Sequence, residues 1–599
     1  MVITPTTLKI TQLLGSRNEQ YVIPAYQRRY SWKTQQIGAL WDDIDMIGGT
    51  DTHLLGTIVC LTGHHNAGLD RLELVDGQQR LTTISIVLHC ILERFQKEGL
   101  EEAAKDLGRL LTAKSMVGKP QSKIALDSLD SNQFDGHVEG TENDETANPR
   151  LAKAFESVRG WIAKRNINDV GEFLYKLQNQ AIVIRLDVND AKNAFKLFET
   201  INNRGLRLSP MDIIKNFVLG SAARFGEPEL ENARTQWMKL IEFLDGLCPE
   251  TFLRHYMGAQ LRSRVTQSMV VDEFKEDFFT RVQEAQTLPD RNWYASENDD
   301  EEEDDDTEVD TDISDGNEIE IDGSLSVPRI SFREFIGAIV NSARIYRELH
   351  KGDTGTPSID RRLRNLALIK AVQSYGFLMS LRVRGCNDKN FEKVLKMTEA
   401  LILRRHICKD RSNETEQLFG KLCGLNPDSP LQELSIQFRE FSPPDERFKE
   451  DFANTRFNGR LADRARYCLE QFEMMEQGKH VEMLIAPSSD VHLEHIIPKQ
   501  ILSRSAKDEV GDWPKYLGEN VAARHRRNLW RIGNLTLVAG SLNIGASNHP
   551  YKRKKSAYAE SALKITNTLE NNYPEFRFAQ VDQRSEQLAD QAIKIWPIP

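Results

Sequence analysis

No apolar run in this chain approaches the length that a membrane-spanning helix needs, so a membrane protein built on such helices is excluded. The amino terminus, "MVITPTTLKITQLLG", has no basic stretch followed by an apolar core, and no secretion signal is expected. Cysteine is sparse: seven are scattered along the chain and none forms a C-x-x-C pair. That argues against a zinc-finger or disulfide framework and for a reducing cytoplasm. A G-x-x-x-x-G-K-[ST] element is also missing, so the chain is not a P-loop NTPase. No internal repeat is visible.

The chain has 599 residues, of which 40% are hydrophobic and 28% charged. That is ordinary for a soluble protein and too long for a single core. The net charge of −11 is concentrated in one run. Between Glu297 and Asp322 stand sixteen Asp or Glu and no Lys or Arg, so the rest of the chain carries about +5. Nucleic acid is therefore an allowed partner. The acidic run cannot bury enough apolar surface to order itself, and a disordered insertion over 296–324 is expected. It reads as a solvated loop or as a nucleic-acid mimic covering a basic groove.

The organisation expected is multidomain α+β. Residues 1–222 read as mixed α/β. "YVIPAYQRRYSW" gives a short strand and a turn, then a helix, "TQQIGALWDDIDMI". "HLLGTIVCL", "RLELVDG" and "QAIVIRLDV" are strand-like, and "QRLTTISIVLHCILERFQ" has helical spacing. Residues 223–484 read as mostly helical, and 485–599 as strand, loop, strand, helix.

The carboxy-terminal stretch carries the first constellation. "VHLEHIIPKQ" places His492, Glu494 and His495 within four residues. Hydrolysis of a phosphodiester needs a base to activate water and a cation to stabilise the developing charge. His495 fits the base, and Glu494 with an amide carbonyl fits Mg²⁺ or Mn²⁺. "RIGNLTLVAGSLNIGASN" then supplies Asn534, Asn543 and Asn548. Phosphate-binding charge follows from "RHRR", with Arg524, Arg526 and Arg527, and from "KRKK", with Lys552, Arg553 and Lys554. Taken singly, these residues also read as a structural histidine, turn asparagines and a solvated basic face.

"LEHIIP", "IGNLTLV", and then "LN" and "SN" with a lysine beyond, resemble the H-N-H nuclease module of GmrSD-type (type IV, modification-dependent) restriction endonucleases. The resemblance implies a ββα-metal fold with His495 as general base. Glu494 and Asn543 would be metal ligands and Asn534 a brace for the loop. Asn548 and Lys552 would contact metal or phosphate. Strict strand alternation puts His492 and Glu494 on one face and His495 on the other, which makes His492 a rival ligand.

"IPAYQRRYSW", "LVDGQQRLTT" and "FETINNRGLRLSPMDIIKNFVL" are similar to the amino-terminal domain of the same family. That domain is ParB-like and is tied to nucleotide binding and hydrolysis, and in some relatives to sensing modified DNA. The matching positions are Tyr26, Gln27, Arg28, Asp76, Gly77, Gln78, Gln79, Arg80, Thr82, Asn202, Arg204, Asp212 and Lys215. Arg28, Arg80 and Arg204 offer planar forks for phosphate oxygens. Gly77 lets backbone approach a ligand. Asp76 suits a hydrated Mg²⁺ or an oriented water, with Gln78 and Gln79 positioning. The alternative for Asp76 and Arg80 is a structural ion pair capping a strand-to-helix turn.

The function expected is a metal-dependent, NTP-regulated DNA endonuclease of bacterial antiphage defence. It would cut or nick double-stranded DNA, plain or modified, and have NTPase activity in its amino-terminal domain; a homo-oligomer is allowed. Two alternatives are a nucleotide- or DNA-binding regulator with a residual nuclease site, and a nuclease toxin acting on RNA or host DNA.

Overall fold

The computed structural model describes residues 3–66, 68–115, 118–126, 129–141, 148–202, 209–287, 328–478, 489–508 and 511–599. The acidic run expected as a disordered insertion lies outside them. Contacts divide the chain into two compact units, Met1–Leu253 with Thr266–Ala343, and Arg254–Val265 with Arg344–Pro599. Residues 223–484 contribute to both. No described helix is long and apolar enough to cross a membrane.

The first unit is built on eight strands: β1 (Ile3–Lys9), β2 (Glu19–Ile23), β3 (His53–Asn66), β4 (Leu69–Asp76), β5 (Thr112–Ala113), β6 (Gln121–Ser122), β7 (Ile124–Leu126) and β8 (Ala181–Val188). Six of them form a mixed sheet in the order β1-β8-β3-β4-β2-β7, while β5 and β6 pair separately. Pro5 lies on β1, an edge strand, where proline is tolerated. The helix Gln78–Lys97 follows β4 directly, and its apolar residues enter the core with Leu74, Ile58 and Tyr21. Trp41 from the helix Thr34–Asp45 stacks on Phe173 with ring centroids 4.1 Å apart.

The second unit is mostly helical and carries β9 (Val491–His495), β10 (Lys507–Asp508), β11 (Gly511–Asp512) and β12 (Leu535–Ala539). β9 and β12 pair antiparallel, with His495 opposite Leu535 and His492 opposite Val538. The helices Gly540–Ala546 and Tyr551–Ala559 follow β12. A later helix, Phe578–Ile595, closes on the turn Ile532–Asn534. Fully buried Arg584 donates from one nitrogen to the carbonyls of Ile532, Gly533 and Leu535, and Gly533 N–H donates to Ser585 Oγ at 3.1 Å. A guanidinium capping three carbonyls replaces bonds that the turn cannot make within itself.

Two predictions arise from this packing. A Cβ at Gly533 would lie 2.2 Å from the Val581 carbonyl oxygen and 2.5 Å from Ser585 Oγ. Gly533→Ala should destabilise the second unit by about 3 kcal/mol or more, read as a lower denaturant midpoint. An unchanged midpoint would contradict the described contact.

The second concerns acid. Burial holds His255 and His495 down to about 3, and His350 and His406 to about 4, all in the second unit. Unfolded, each takes a proton below 6.5, so stability is whole above that pH and falls as pH drops towards 4. Each group contributes about 1.4 kcal/mol per pH unit in that window. Glu399, raised to about 7 by burial, acts oppositely between 7 and 4.5. The net expectation is a melting temperature that drops between pH 7 and pH 5; a flat profile would oppose it.

Candidate functional site

Two clusters collect the residues singled out above, one in each unit. In the first unit, β4 ends at Asp76 and the chain turns through Gly77, whose φ is +91°. A Cβ there would sit 3.0 Å from the Ile58 side chain, so glycine is required both by conformation and by space. The helix then opens with Gln78, Gln79 and Arg80. Arg80 reaches back to β3, donates to the Thr57 carbonyl at 3.0 Å, and lies where a Cβ of Gly56 would be, 2.8 Å away. Asp76 and Arg80 make no direct salt bridge; they interact only through the field. Burial raises Asp76 and lowers Arg80, and each offsets the other's shift.

Gln27 is fully buried and acts as a clamp. Its amide donates to the carbonyls of Leu74 and Val75, both at 3.1 Å, and its oxygen accepts from Gln78 at 3.3 Å and from Lys215. Burial pushes Lys215 down to about 8, against the pull of Asp212, whose Oδ1 lies 3.8 Å away. Asp212 also faces Arg28 at 3.5 Å and accepts from Ser209, the cap of the helix Pro210–Phe225. Gln79 holds the backbone at Ser31 and Arg29, while Thr82 is buried within its helix. Tyr26 donates to Glu73, which Arg234 also binds. Arg29 has its charge balanced by Asp130 at 2.6 Å and Asp245 at 2.9 Å. The residues Tyr26, Arg28, Asp212, Lys215 and Trp237 line a cavity of about 570 Å³, the size of a site for a small organic ligand. Arg204 lies outside the described residues, as does the side chain of Asn202.

In the second unit β9 ends at His495, and the four ionisable or amide groups around it separate. His492 Nε2 donates to the Ser489 carbonyl at 3.2 Å, and its Nδ1 accepts from Asn543 at 3.3 Å. Glu494 has different partners and is buried. Lys554 Nζ donates to Glu494 Oε1 at 2.5 Å and to the His495 carbonyl at 2.8 Å, with Tyr558 OH donating at 3.3 Å. Lys554 is therefore not a surface DNA contact as expected from "KRKK": it is 0% exposed and its charge is taken by Glu494. Lys552 and Arg553 remain exposed on the same helix, as do Arg524, Arg526 and Arg527 on the helix Val521–Asn528. Arg524 sits over the Phe578 ring at 4.7 Å.

Asn534 ties the hairpin together. Its Oδ1 accepts from Ile497 N–H at 2.8 Å, and its amide donates to the carbonyls of Ile497 and Leu529. His495 is 4% exposed and its Nε2 has no partner. Burial first, then the charges of Lys499, Lys554 and His525, keep the imidazole neutral. No hydrogen bond joins Asn548 to the His492–Asn543 pair.

Among the described residues no group of three or more His, Cys, Asp or Glu is placed to hold a metal ion. His492 and Asn543 are bonded to each other, so each would have to give up that bond before it could ligate a cation. Glu494 could join them only by leaving Lys554. Two neighbours of His495, Trp530 and Lys499, were not singled out from the sequence, since no spacing pattern links them to it.

The sequence matches the GmrSD restriction endonuclease N-terminal domain over residues 10–219 and the GmrSD restriction endonuclease C-terminal domain over residues 442–591. The first match holds the Asp76–Lys215 cluster and the second the His495 cluster. No curated protein matches the chain.

Removing one partner of the buried Lys554–Glu494 pair leaves an uncompensated charge. Lys554→Met should cost about 3–5 kcal/mol, and adding Glu494→Gln should restore part of it. Additive losses in the double variant would argue that the two groups do not interact.

Proposed function

The chain belongs to the GmrSD restriction endonuclease family and is a nuclease of type IV restriction acting on DNA, and from that premise we propose a division of labour between its two units. The second unit is an H-N-H nuclease of the ββα-metal type, with His495 as general base. The first is a ParB-like nucleotide-handling domain that licenses cutting. The observation that carries the nuclease assignment is the Nε2 atom of His495. In the matched carboxy-terminal stretch it is the one described histidine nitrogen that is buried and without a partner.

The chemistry follows from the neighbours. Asn534 fixes the backbone just after His495, and Lys554 holds the His495 carbonyl, so the imidazole is presented by a braced strand end. His495 Nε2 takes a proton from water as the water oxygen bonds to phosphorus. The bond from phosphorus to the leaving sugar oxygen breaks, and that oxygen is protonated from solvent. An imidazole held near 3 is a weak base, but an anionic phosphate beside it favours the protonated form and raises its basicity. A divalent cation held by His492 and Asn543 would supply further charge neutralisation on the phosphate. Arg526, Arg527, Lys552 and Arg553 offer exposed charge for the DNA backbone.

In the first unit the 570 Å³ cavity takes a nucleoside triphosphate, with Arg28 and Lys215 towards the phosphates and aromatic side chains at its wall. Asp76 and Arg80 lie behind, where they orient rather than bind. Nucleotide or a DNA modification would bias access to the nuclease, and the host genome is spared while neither is present. This is the logic of antiphage defence.

The test is plasmid cleavage with plain and phage-modified DNA, Mg²⁺ or Mn²⁺, and each NTP or none. His495→Ala should abolish cutting, by a factor of 10³ or more, and leave nucleotide hydrolysis intact. Arg28→Ala should lower nucleotide hydrolysis and remove any response of cutting to nucleotide. Cutting that survives in His495→Ala would remove the base assignment.

A further inference from the structure

We propose that Lys499 contacts the phosphodiester being cut and that Trp530 is a positioning residue holding Lys499 and His495 in one arrangement. The proposal rests on the reading of His495 as general base. Both residues come from the two segments that frame β9 and β12. Trp530 stands between the helix Val521–Asn528 and the turn Ile532–Asn534, with its indole half-buried. Its ring meets the His495 ring nearly at right angles, at 86° and 4.5 Å between centroids. The backbone that carries the indole is held, because the Trp530 carbonyl accepts from Phe457 N–H at 2.8 Å and the preceding carbonyl, of Leu529, accepts from Asn534.

Lys499 arrives at the same indole from the other segment. It follows Pro498, which is buried and whose carbonyl accepts from His525 Nε2 at 2.8 Å. Its ammonium lies 4.9 Å from the centre of the Trp530 ring. A cation on an exposed aromatic face gains about 0.5–1 kcal/mol, enough to bias a rotamer without neutralising the charge. No carboxylate among the described residues pairs with Lys499, and the side chain is exposed. Lys554 is the contrast: it is buried, and its charge is spent on Glu494. Lys499 is therefore a cation near the candidate base that is still available to a ligand.

Phosphodiester hydrolysis gathers negative charge on the non-bridging oxygens as water attacks. A cation already biased towards that point lowers the barrier because part of its ordering precedes the reaction. Trp530, on this reading, is a support that keeps the orphaned imidazole nitrogen directed at the water.

The experiment compares Lys499→Met, Lys499→Arg, Trp530→Phe, Arg526→Ala and His495→Ala in the full chain. Cleavage kinetics are read over pH and salt, with thermal melts of each variant. Lys499→Met should lower kcat about 10²-fold with little change in KM and an unchanged melt. Lys499→Arg should recover most of the rate, and Trp530→Phe should lower kcat by about tenfold with little change in KM. Arg526→Ala, a backbone contact away from the chemistry, should raise KM and reduce the salt slope. If Lys499→Met behaves like Arg526→Ala, or cuts at the unaltered rate, the proposal falls while an inactive His495→Ala keeps the base assignment. If His495→Ala still cuts, the underlying reading falls first.

Discussion

The side-chain amide of Asn534 binds Ile497 through both its carbonyl and its N–H₂, and in doing so it closes the end of β9 onto the start of β12. A strand end is normally free to fray, because its last backbone groups face water. Here the groups after His495 are satisfied by a side chain at 0% exposure, so opening them would expose polar atoms with no compensating partner. The other constraints of the second unit converge on the same place. Arg584 binds the carbonyls of the Asn534 turn, Gly533 packs closely against Val581 and Ser585, and Lys554 binds the His495 carbonyl. The candidate base owes its fixed position to this set of backbone bonds more than to any contact of its own ring.

The first unit solves a related problem with the same type of group. Gln27 joins two carbonyls of β4 to Gln78 and Lys215, so a neutral amide spans the strand that ends at Asp76 and the helix that follows. Amides suit this work because they donate and accept without titrating. The charges around the cavity are then arranged by what they pair with. Arg29 is fully matched by two aspartates, whereas Arg28 keeps one partner at 3.5 Å and 44% side-chain exposure, and so remains able to meet an anion.

Much of this was legible in the sequence because it is written in local patterns. The strands at 53–66, 69–76 and 181–188 and the helix at 78–97 follow their hydrophobic periods, and the family resemblance follows from short motifs. The partnerships were not legible. Lys554 looks like one of four basic residues on a polar helix, and nothing in "KRKK" tells which of them turns inward to Glu494. That depends on a half-turn of helix phase relative to β9. The placement of Trp530 against His495, and of Arg584 under Gly533, likewise arises from packing between distant segments. The edge strand Ile3–Lys9 was missed because Pro5 and three threonines mask its alternation.

The helix Phe578–Ile595 lies well downstream of every residue proposed for the chemistry, yet the turn that braces the base is held through its Arg584 and Ser585. During synthesis, a nascent chain that already carries His495, Asn534 and Asn543 therefore has the reactive groups but not their fixed arrangement. The last helix is thus a structural part of the hairpin it follows, and the arrangement of His495, Asn534 and Asn543 is complete only when residues some forty positions further along have docked.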